Sequence, residues 1–374
     1  MTTYIEIHAL HSVPPSNLNR DDSGAPKTAL YGGVLRHRVS SQSWKHAIRK
    51  DFNEVLDPTE IGTRSRMLAS TIGELITEQR PELADRALDL AADAMEAAGF
   101  KRPVPQKRSK AEIDKPETGY LVFLSQLQLQ SLASAAAAAS GESDPKAAMK
   151  AAKVKGLVDA DNSVDIALFG RMVADSTDLN VDAACQIAHA ISVHEATPEY
   201  DFYTAVDDAK SRSEDEEDSG AGMMGTVGFV SSTLYRYAAL NVDQLRANLG
   251  PDEAVRKAVD VFLRSFFAAM PGGKQNTFAH GTRPTAVMVT VGTGQPTSLV
   301  GAFESPIRAN DGYTKPAVRA LATHAREVFE TWRQPQQVLV SGLESDITPL
   351  KDLGDAVSIN DLVTRTISSA VGDA

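Results

Sequence analysis

The chain has 374 residues and carries 49 acidic against 38 basic side chains, which gives a formal net charge of −11. This length suffices for a large core in two or more lobes, and 42% hydrophobic residues is typical of globular proteins. The net charge argues against a protein that coats nucleic acid through overall basicity. It does not exclude a local basic groove, since phosphate contacts depend on local potential. Seven Lys or Arg residues fall between Arg20 and Lys50, where the carboxylates are Asp21 and Asp22.

The cysteine content and the apolar stretches exclude several classes. Cys185 is the only cysteine, so neither a disulfide framework nor a cysteine-ligated zinc site is possible. The first residues show no secretory signal, and the longest uncharged stretch, 118–141, contains glutamines and serines that are untypical of a membrane span. The sequence contains no glycine-rich nucleotide-binding motif, and its histidines are scattered. We therefore expect a cytoplasmic protein with no membrane partner, no cofactor and no metal.

The first predicted element is a half-buried strand over 3–10, in which Ile5, Ile7 and Ala9 alternate with polar residues. A long loop rich in proline and asparagine follows at 11–27. Loops of this length inside a compact domain are commonly functional.

The most informative segment is a helix predicted over 40–52, which begins at a serine that can cap it. Its inward face is predicted by apolar residues at spacings of three and four: Trp44, Ala47, Ile48 and Phe52. At about 100° per residue, the opposite face carries Gln42, Lys45, His46 and Arg49. Free N–H groups at the helix N-terminus and cations along one side suit a polyanion, although an ordinary solvated polar face fits this spacing equally well.

Further elements follow from the same patterns. Residues 57–180 are predicted to be mainly helical with a basic loop at 101–110, residues 181–195 to form another helix, and residues 211–222 to be mobile and acidic. Later strands are predicted at 226–239, 286–292, 298–303 and 336–341, and helices at 252–270 and at 316–332, the last with Trp332 facing inward. The order predicts a ferredoxin-like α+β core built from both ends of the chain, with a helical block inserted between them.

Two loops and one acidic excursion supply further binding candidates. The loop candidates for anion binding are Arg20 and Lys27 after the first strand, and Lys274 and Gln275 in the glycine-rich segment PGGKQ. Phe202 and Tyr203 lie on the acidic excursion, where aromatic rings either stack on bases or anchor the excursion to its own core.

Asp21 and Asp22 form the one catalytic candidate. Paired carboxylates can hold a metal or act as a general base on a ribose hydroxyl. A pair beside an arginine, here Arg20, is more often part of a turn or an electrostatic partner.

Several long segments, in the same order, resemble one known family. They are SNLNRDD (16–22), VSSQSWKHAIRK (39–50), VDIALFGRM (164–172), IAHAISVH (187–194), DFYTAVDD (201–208), LYRYAALNVDQLRANLG (234–250), PGGKQ (271–275) and AFESP with DGY (302–313). Along most of its length the chain resembles the CasC-type backbone subunits of the type I-E CRISPR Cascade complexes.

The resemblance implies an RRM-like (ferredoxin-like) palm with an inserted helical fingers domain and a flexible thumb loop. The implied boundaries are palm 1–56, fingers 57–180, a palm helix 181–198, thumb 199–225 and the second part of the palm 226–374. The implied function is non-catalytic: the subunit polymerises head to tail with other copies along the guide RNA (crRNA), contacts other Cascade subunits and supports pairing with target DNA.

The resemblance also implies roles for individual positions. The positions matching the grip on the guide backbone are Lys27, Ser40, Gln42, Ser43, Lys45 and Arg49, with Arg20 close by, and Lys274 lies in a matching loop. Met172 matches a wedge beside a displaced base, and Phe202 with Tyr203 matches the aromatic pair of the thumb. The family usually has tryptophan followed by phenylalanine at this pair, so the first ring is smaller here.

Two alternatives stay open at this stage. Related backbone subunits of other CRISPR types cleave RNA with an acidic residue near this position, which would give Asp21 or Asp22 a catalytic role. The second alternative is a scaffold whose basic helix contacts an acidic protein instead of RNA.

Overall fold

The structure is a computed structural model that describes residues 1–105, 115–205 and 223–373. The segment 211–222 and the second half of the basic loop at 101–110 lie outside the described residues. The strands are β1 Thr3–Ser16, β2 Thr28–Tyr31, β3 Val34–Val39, β4 Gly62–Ser65, β5 Val104–Pro105, β6 Pro116–Glu117, β7 Val122–Ser125, β8 Cys185–Ile187, β9 Ala190–Ser192, β10 Glu199–Ala205, β11 Met223–Asn241, β12 Ala286–Thr293, β13 Gln337–Gly342 and β14 Asp355–Ala356. The helices are α1 Ser41–Val55, α2 Leu68–Gln79, α3 Ala87–Ala97, α4 Gln126–Ala139, α5 Pro145–Ala151, α6 Val164–Phe169, α7 Val242–Leu249, α8 Asp252–Ala268, α9 Gln275–Phe278, α10 Thr314–Thr331, α11 Glu344–Ile347 and α12 Ile359–Val371.

The chain forms two compact units, each assembled from separate stretches of sequence. The first unit contains residues 1–48, 187–239 and 262–373. The second contains residues 49–186 and 240–261, so helices α1 and α8 each contribute residues to both units.

A mixed sheet forms the first unit. Its strands lie in the order β14-β13-β12-β1-β11-β9-β3-β2, and β10 pairs with β11. Four neighbouring strands and two helices follow one another along the chain as β1, α1, β9, β11, α8 and β12. This is a β-α-β-β-α-β order, so the predicted mixed α+β class is confirmed.

Strand β1 lies at the centre of this sheet, antiparallel to β12. Its apolar residues Ile5 and Ile7 are fully buried, and the intervening Glu6 and His8 are almost so. The strand is therefore buried on both faces, and the prediction of a half-buried strand is wrong. It also continues to Ser16, which makes the first part of the predicted loop part of the sheet.

Helical periodicity correctly identified the two helices shared by the units. In α1 the four predicted inward residues, Trp44, Ala47, Ile48 and Phe52, are all buried. In α8 the buried residues follow the predicted spacing: Val255, Val259, Phe262, Leu263, Phe266 and Phe267. Burial of each large apolar side chain contributes roughly 1.5–3 kcal/mol to the stability of the folded state. This contribution is larger than the local helix propensity of any single residue other than proline, which is why the apolar spacing predicted these helices correctly.

The second unit has its own core. Helices α2, α3 and α4 pack around a cluster that is rich in alanine and leucine, with Leu68, Ile72, Leu90, Met95, Leu129 and Leu132 at its centre. Strands β4 and β7 form a separate antiparallel pair in this unit. In the part of the chain that the structure describes, no helix is long and apolar enough to cross a membrane.

The palm helix predicted over 181–198 is wrong. Residues Cys185–Ile187 and Ala190–Ser192 are strands β8 and β9, and β9 pairs with both β3 and β11. The apolar spacing of this segment fits a short strand as well as a helix. Cross-strand partners, Arg38 and Tyr235 for Ile191, decide between the two.

Two predictions near the C-terminus also fail, and one helix was missed. Leu299–Phe303 is a 3₁₀ helix instead of a strand, and the Ser298 side chain accepts a hydrogen bond from the Val300 N–H at its start. Trp332, the residue directly after α10, is 81% exposed and does not face inward. The tail contains α12, which the sequence pattern did not reveal.

Three histidines in the first unit, His8, His11 and His37, are buried. Burial lowers the pKa of His8 and of His11 to about 3 and that of His37 to about 4. Their imidazoles are therefore neutral in the folded protein at neutral pH. Each forms a hydrogen bond with a hydroxyl group, that of Tyr235, Thr282 and Ser232 respectively, and His11 also accepts one from Arg236.

These histidines predict acid sensitivity of the fold. The unfolded chain takes up protons below its histidine pKa of about 6.5, whereas the folded chain resists protonation until the pH is near 3 or 4. The free energy of unfolding should therefore fall as the pH drops through this window, by about 1 kcal/mol per histidine between pH 7.5 and 5.5. Urea unfolding at both values checks this. Equal stability at both pH values would contradict the prediction.

Candidate nucleic-acid interface

The loop that follows β1 is fixed by two asparagines. Asn17 Nδ2 donates hydrogen bonds to the carbonyl oxygens of Gly24 at 2.9 Å and Gly228 at 2.8 Å. Asn19 Oδ1 accepts a hydrogen bond from the Ser40 N–H at 2.9 Å. These bonds hold the loop against strand β11 and at the N-terminus of helix α1.

The glycine-rich segment 271–274 lies against the same loop. A Cβ added to Gly273 would be 2.5 Å from the carbonyl oxygen of Asn17 and 2.6 Å from that of Leu18, so only glycine permits this approach. Lys274 follows with a left-handed φ of 54°, which is uncommon outside glycine. The two loops line one open pocket, formed by Leu18, Asn19, Arg20, Asp21, Asp22, Gly24 and Gly273.

The N-terminal half of α1 presents its polar face at the surface of this unit. The Ser40 hydroxyl accepts a hydrogen bond from the Ser43 N–H at 3.3 Å, so the predicted cap is present. Gln42 and His46 are exposed, and Lys45 is partly exposed. A helix N-terminus carries a partial positive charge, to which Lys45 adds a full one. Gln275 is exposed at the start of the short helix α9.

The structure adds Arg38 and His189 to the sequence candidates. Arg38 Nη1 donates a hydrogen bond to His189 Nδ1 at 3.0 Å, and Arg38 Nε donates to the carbonyl oxygen of Thr28 at 3.2 Å. Burial, and then the charges of Arg38 and Lys27, lower the pKa of His189. Lys27 and Arg38 therefore form a positive cluster next to the first loop, with His189 as a hydrogen-bond acceptor of Arg38. Sequence reasoning missed it because His189 was assigned to a helix.

The aromatic residues of β10 lie on two faces. Successive strand residues point to opposite sides, so Phe202 and Tyr203 do not form one stacking surface. Phe202, 63% exposed, instead shares its face with Tyr200, which is 62% exposed. Tyr203 lies across Gly225, where an added Cβ would be 2.6 Å from the tyrosine hydroxyl. Tyr200 was missed, although the two-residue spacing was visible in the sequence.

Arg49, in the second unit, is engaged in a structural ion pair. Its Nε donates a hydrogen bond to Asp165 Oδ2 at 2.9 Å, and its guanidinium lies 4.5 Å from the ring centre of Phe123. Asp165 is fully buried and also accepts hydrogen bonds from the N–H of Gly62 and the hydroxyl of Ser163. Arg49 thus stabilises the unit whether or not it also contacts a ligand.

Met172 projects from the second unit and is 81% exposed. The preceding Arg171 is buried and donates hydrogen bonds to the carbonyl oxygens of Leu179 at 2.8 Å and Val158 at 2.7 Å. These bonds fix the backbone from which the methionine extends. An apolar side chain held in water on a rigid support suits insertion between bases.

Asp21 is part of the turn that shapes the first loop. Its Oδ1 accepts hydrogen bonds from the N–H and the hydroxyl of Ser23 and from the Ala25 N–H, at 2.7–3.1 Å. These bonds, that of the Ser23 hydroxyl first, lower the pKa of Asp21. Asp22 is exposed beside it. Among the residues described, no group of three His, Cys, Asp or Glu side chains suits a metal ion.

A protein-family comparison identifies the chain. The family model described as CT1975-like protein matches residues 5–365. The chain belongs to the CT1975-like family. This CT1975-like chain is also similar to a chain of a solved structure described as "CRISPR RNA-guided surveillance complex, pre-nicking", with 33% identity, a TM-score of 0.84, and coverage of 98% of this chain and 100% of the other.

A second solved structure, described as "CRISPR RNA-guided surveillance complex", contains a chain similar to the CT1975-like chain at 29% identity and a TM-score of 0.73. That alignment covers 97% of this chain and 99% of the other. Comparison with curated proteins gives no match. The resemblance read from the sequence is confirmed at the level of CRISPR surveillance complexes, and both structural alignments extend over nearly the whole chain.

The Arg49–Asp165 pair predicts a stability effect that is separate from any binding. Arg49→Ala should lower the free energy of unfolding by about 3 kcal/mol, because it leaves a buried carboxylate without its cation. Urea unfolding measures this. Lys50→Ala, at the exposed next position of α1, is the matched control and should change stability by less than about 0.5 kcal/mol. Equal stability of the two variants would contradict the prediction.

Proposed function

We propose that this CT1975-like chain is the guide-RNA-binding backbone subunit of a Cascade-type CRISPR surveillance complex in the cytoplasm. The proposal rests on one observation: the 17–27 loop contacts both the N-terminus of α1 and the 271–274 loop within one unit. Each of the three supplies a cation or backbone N–H groups. The similar structures, which are described as RNA-guided complexes, support the same ligand.

In this proposal the first unit is an RRM-like palm, and the guide runs across its loops. Side chains and N–H groups that bind phosphates fix the position of the RNA without reading its bases, which suits a carrier of any guide sequence. Pairing with target DNA is then left to the exposed bases. In this proposal Phe202 and Met172 are wedges that interrupt this pairing. We further propose that the subunit is of the CasC type and belongs to a type I-E complex.

The proposed assembly places copies head to tail along one RNA, together with the other Cascade subunits. A contact between two different surfaces of identical subunits does not close on itself and generates an open helical filament. The length of the guide then limits the number of copies. The acidic exterior implied by the net charge of −11 disfavours binding of unrelated nucleic acid outside the groove.

Purification tests the proposal directly. The chain, isolated from cells that express the neighbouring subunits and a CRISPR array, should carry RNA of a discrete length flanked by repeat sequence. Protein free of RNA would instead favour the scaffold alternative, in which the basic helix contacts an acidic protein.

Substitution of two lysines in the groove should weaken binding of all guide sequences equally. Lys45→Ala plus Lys274→Ala removes two phosphate contacts and should reduce the slope of log K against log salt by about 1.4, since each contact to a single strand contributes about 0.7. Fluorescence anisotropy with several RNA sequences measures this. The charge-matched control is Arg326→Ala plus Lys351→Ala, which lie on α10 and after β13. A loss confined to particular sequences would contradict backbone recognition.

We also propose that the subunit is not a nuclease. Asp21 is occupied by hydrogen bonds of its own turn, so Asp22 is the carboxylate to test. We expect the wild-type chain and Asp22→Ala to leave labelled target RNA equally intact in the presence of Mg²⁺ or Mn²⁺. Cleavage by the wild-type chain that Asp22→Ala abolishes would support the catalytic alternative instead.

A further inference from the structure

Arg236, on strand β11, is a buried cation inside the first unit. Its side chain is among the largest that are fully buried. The guanidinium carbon lies 3.7 Å from the ring centre of Trp44 and 4.3 Å from that of Phe266. The charge is therefore held between two aromatic faces, one of which belongs to helix α1.

The hydrogen-bond partners of Arg236 are neutral. Its Nη1 donates to His11 Nδ1 at 3.1 Å, and its Nη2 donates to the carbonyl oxygen of Phe266 at 2.6 Å. Because His11 accepts at Nδ1, its proton is on Nε2, which donates to the hydroxyl of Thr282 at 3.0 Å. Arg236 Nε has no hydrogen-bond partner among the residues that the structure describes.

The positive charge of Arg236 persists at neutral pH. Burial lowers its pKa to about 9, which is still above physiological pH, and no carboxylate of the described residues opposes that shift. A buried charge without such a partner is costly in a protein interior. Cation–π contacts with two rings offset only part of this cost.

The position of the charge suggests what it does. Trp44 lies on the inward face of α1, between Ser43 and Lys45, and Arg236 stacks directly on it. We propose that Arg236 is a positioning residue for RNA binding: it fixes Trp44, and its charge, which has no carboxylate partner among the residues that the structure describes, attracts the phosphates that bind on the outer face of α1. This inference rests on the proposed function.

The expected size follows from the geometry of a helix. The helix with its side chains is about 10–12 Å across, so the guanidinium and a bound phosphate are separated by roughly that distance. At an effective dielectric constant of about 20, Coulomb's law at this distance gives about a ten- to fifteenfold gain in affinity, which screening by salt reduces to about a five- to tenfold gain. It adds no phosphate contact, so it should leave the number of ions released on binding unchanged.

His11 offers a matched pair of variants that isolates the charge. His11→Asp places a carboxylate where Nδ1 now accepts the hydrogen bond of Arg236, whereas His11→Asn places a neutral oxygen there. Without RNA, we expect the Asp variant to melt at a higher temperature than the Asn variant. With a single-stranded RNA oligonucleotide of mixed sequence, the Asp variant should bind five- to tenfold more weakly, with the same salt slope.

The two measurements separate the possible failures. Equal RNA affinity of the His11→Asp and His11→Asn proteins would overturn the role of the charge, even if their melting temperatures differ. Stability and affinity that fall together in the Asp variant would show that Arg236 only holds the core together. A wild-type protein that binds no RNA would refute the proposed function itself, while the difference in melting temperature between the variants would remain measurable.

Substitutions of Arg236 give a second test that does not involve His11. Arg236→Lys keeps the charge and loses the planar stack, and Arg236→Met keeps an unbranched apolar chain and loses the charge. We expect the lysine variant to bind RNA within about twofold of wild type and the methionine variant to bind five- to tenfold more weakly. Tighter or equal binding by the methionine variant, relative to the lysine variant, would contradict the proposal.

Discussion

The first unit depends on hydrogen bonds made by two asparagine side chains where β1 leaves the sheet. Asn17 bonds to backbone oxygens on its own loop and on β11, and Asn19 accepts from the first N–H of the α1 region. Because β1 is buried on both faces at the centre of the sheet, its end is a rigid starting point for this loop. The tight approach of Gly273 then fixes the second loop against the first. The candidate groove is a consequence of these backbone contacts more than of its cations.

The sequence predicted those parts of the fold in which one periodicity dominates. Helices α1 and α8 were found because their apolar residues recur at three and four over many turns. The segment 181–198 was misread because alanine and isoleucine at short spacing suit either state, and only the partners on β3 and β11 select the strand. Trp332 was misplaced for a different reason: the apolar face of α10 is buried at Val318 and Leu321 but only half-buried at Val328 and Phe329, and spacing alone does not show where burial ends.

The candidate site was only partly predictable, because some of its contacts join residues that are distant in sequence. Residues near one another in the chain, such as Ser40, Gln42 and Lys45, could be grouped on one face from spacing alone. Arg38 and His189 are brought together by pairing of strands that are distant in sequence, and no local pattern signals their contact. Charge alone also misleads, since Arg49 has the right spacing for the polar face yet forms an ion pair with a buried carboxylate.

The buried arginines of this chain show how context separates structural from electrostatic roles. Arg36 donates hydrogen bonds to several backbone carbonyl oxygens. Their partial negative charges offset the free-energy cost of burying its positive charge. Arg236 has one carbonyl, one neutral imidazole and two aromatic rings, and therefore retains more of its field. A field that the protein interior does not neutralise acts on whatever charge approaches from outside. Since the interior is less polarisable than water, the electrostatic attraction of such a buried charge extends over a longer distance than that of a surface lysine.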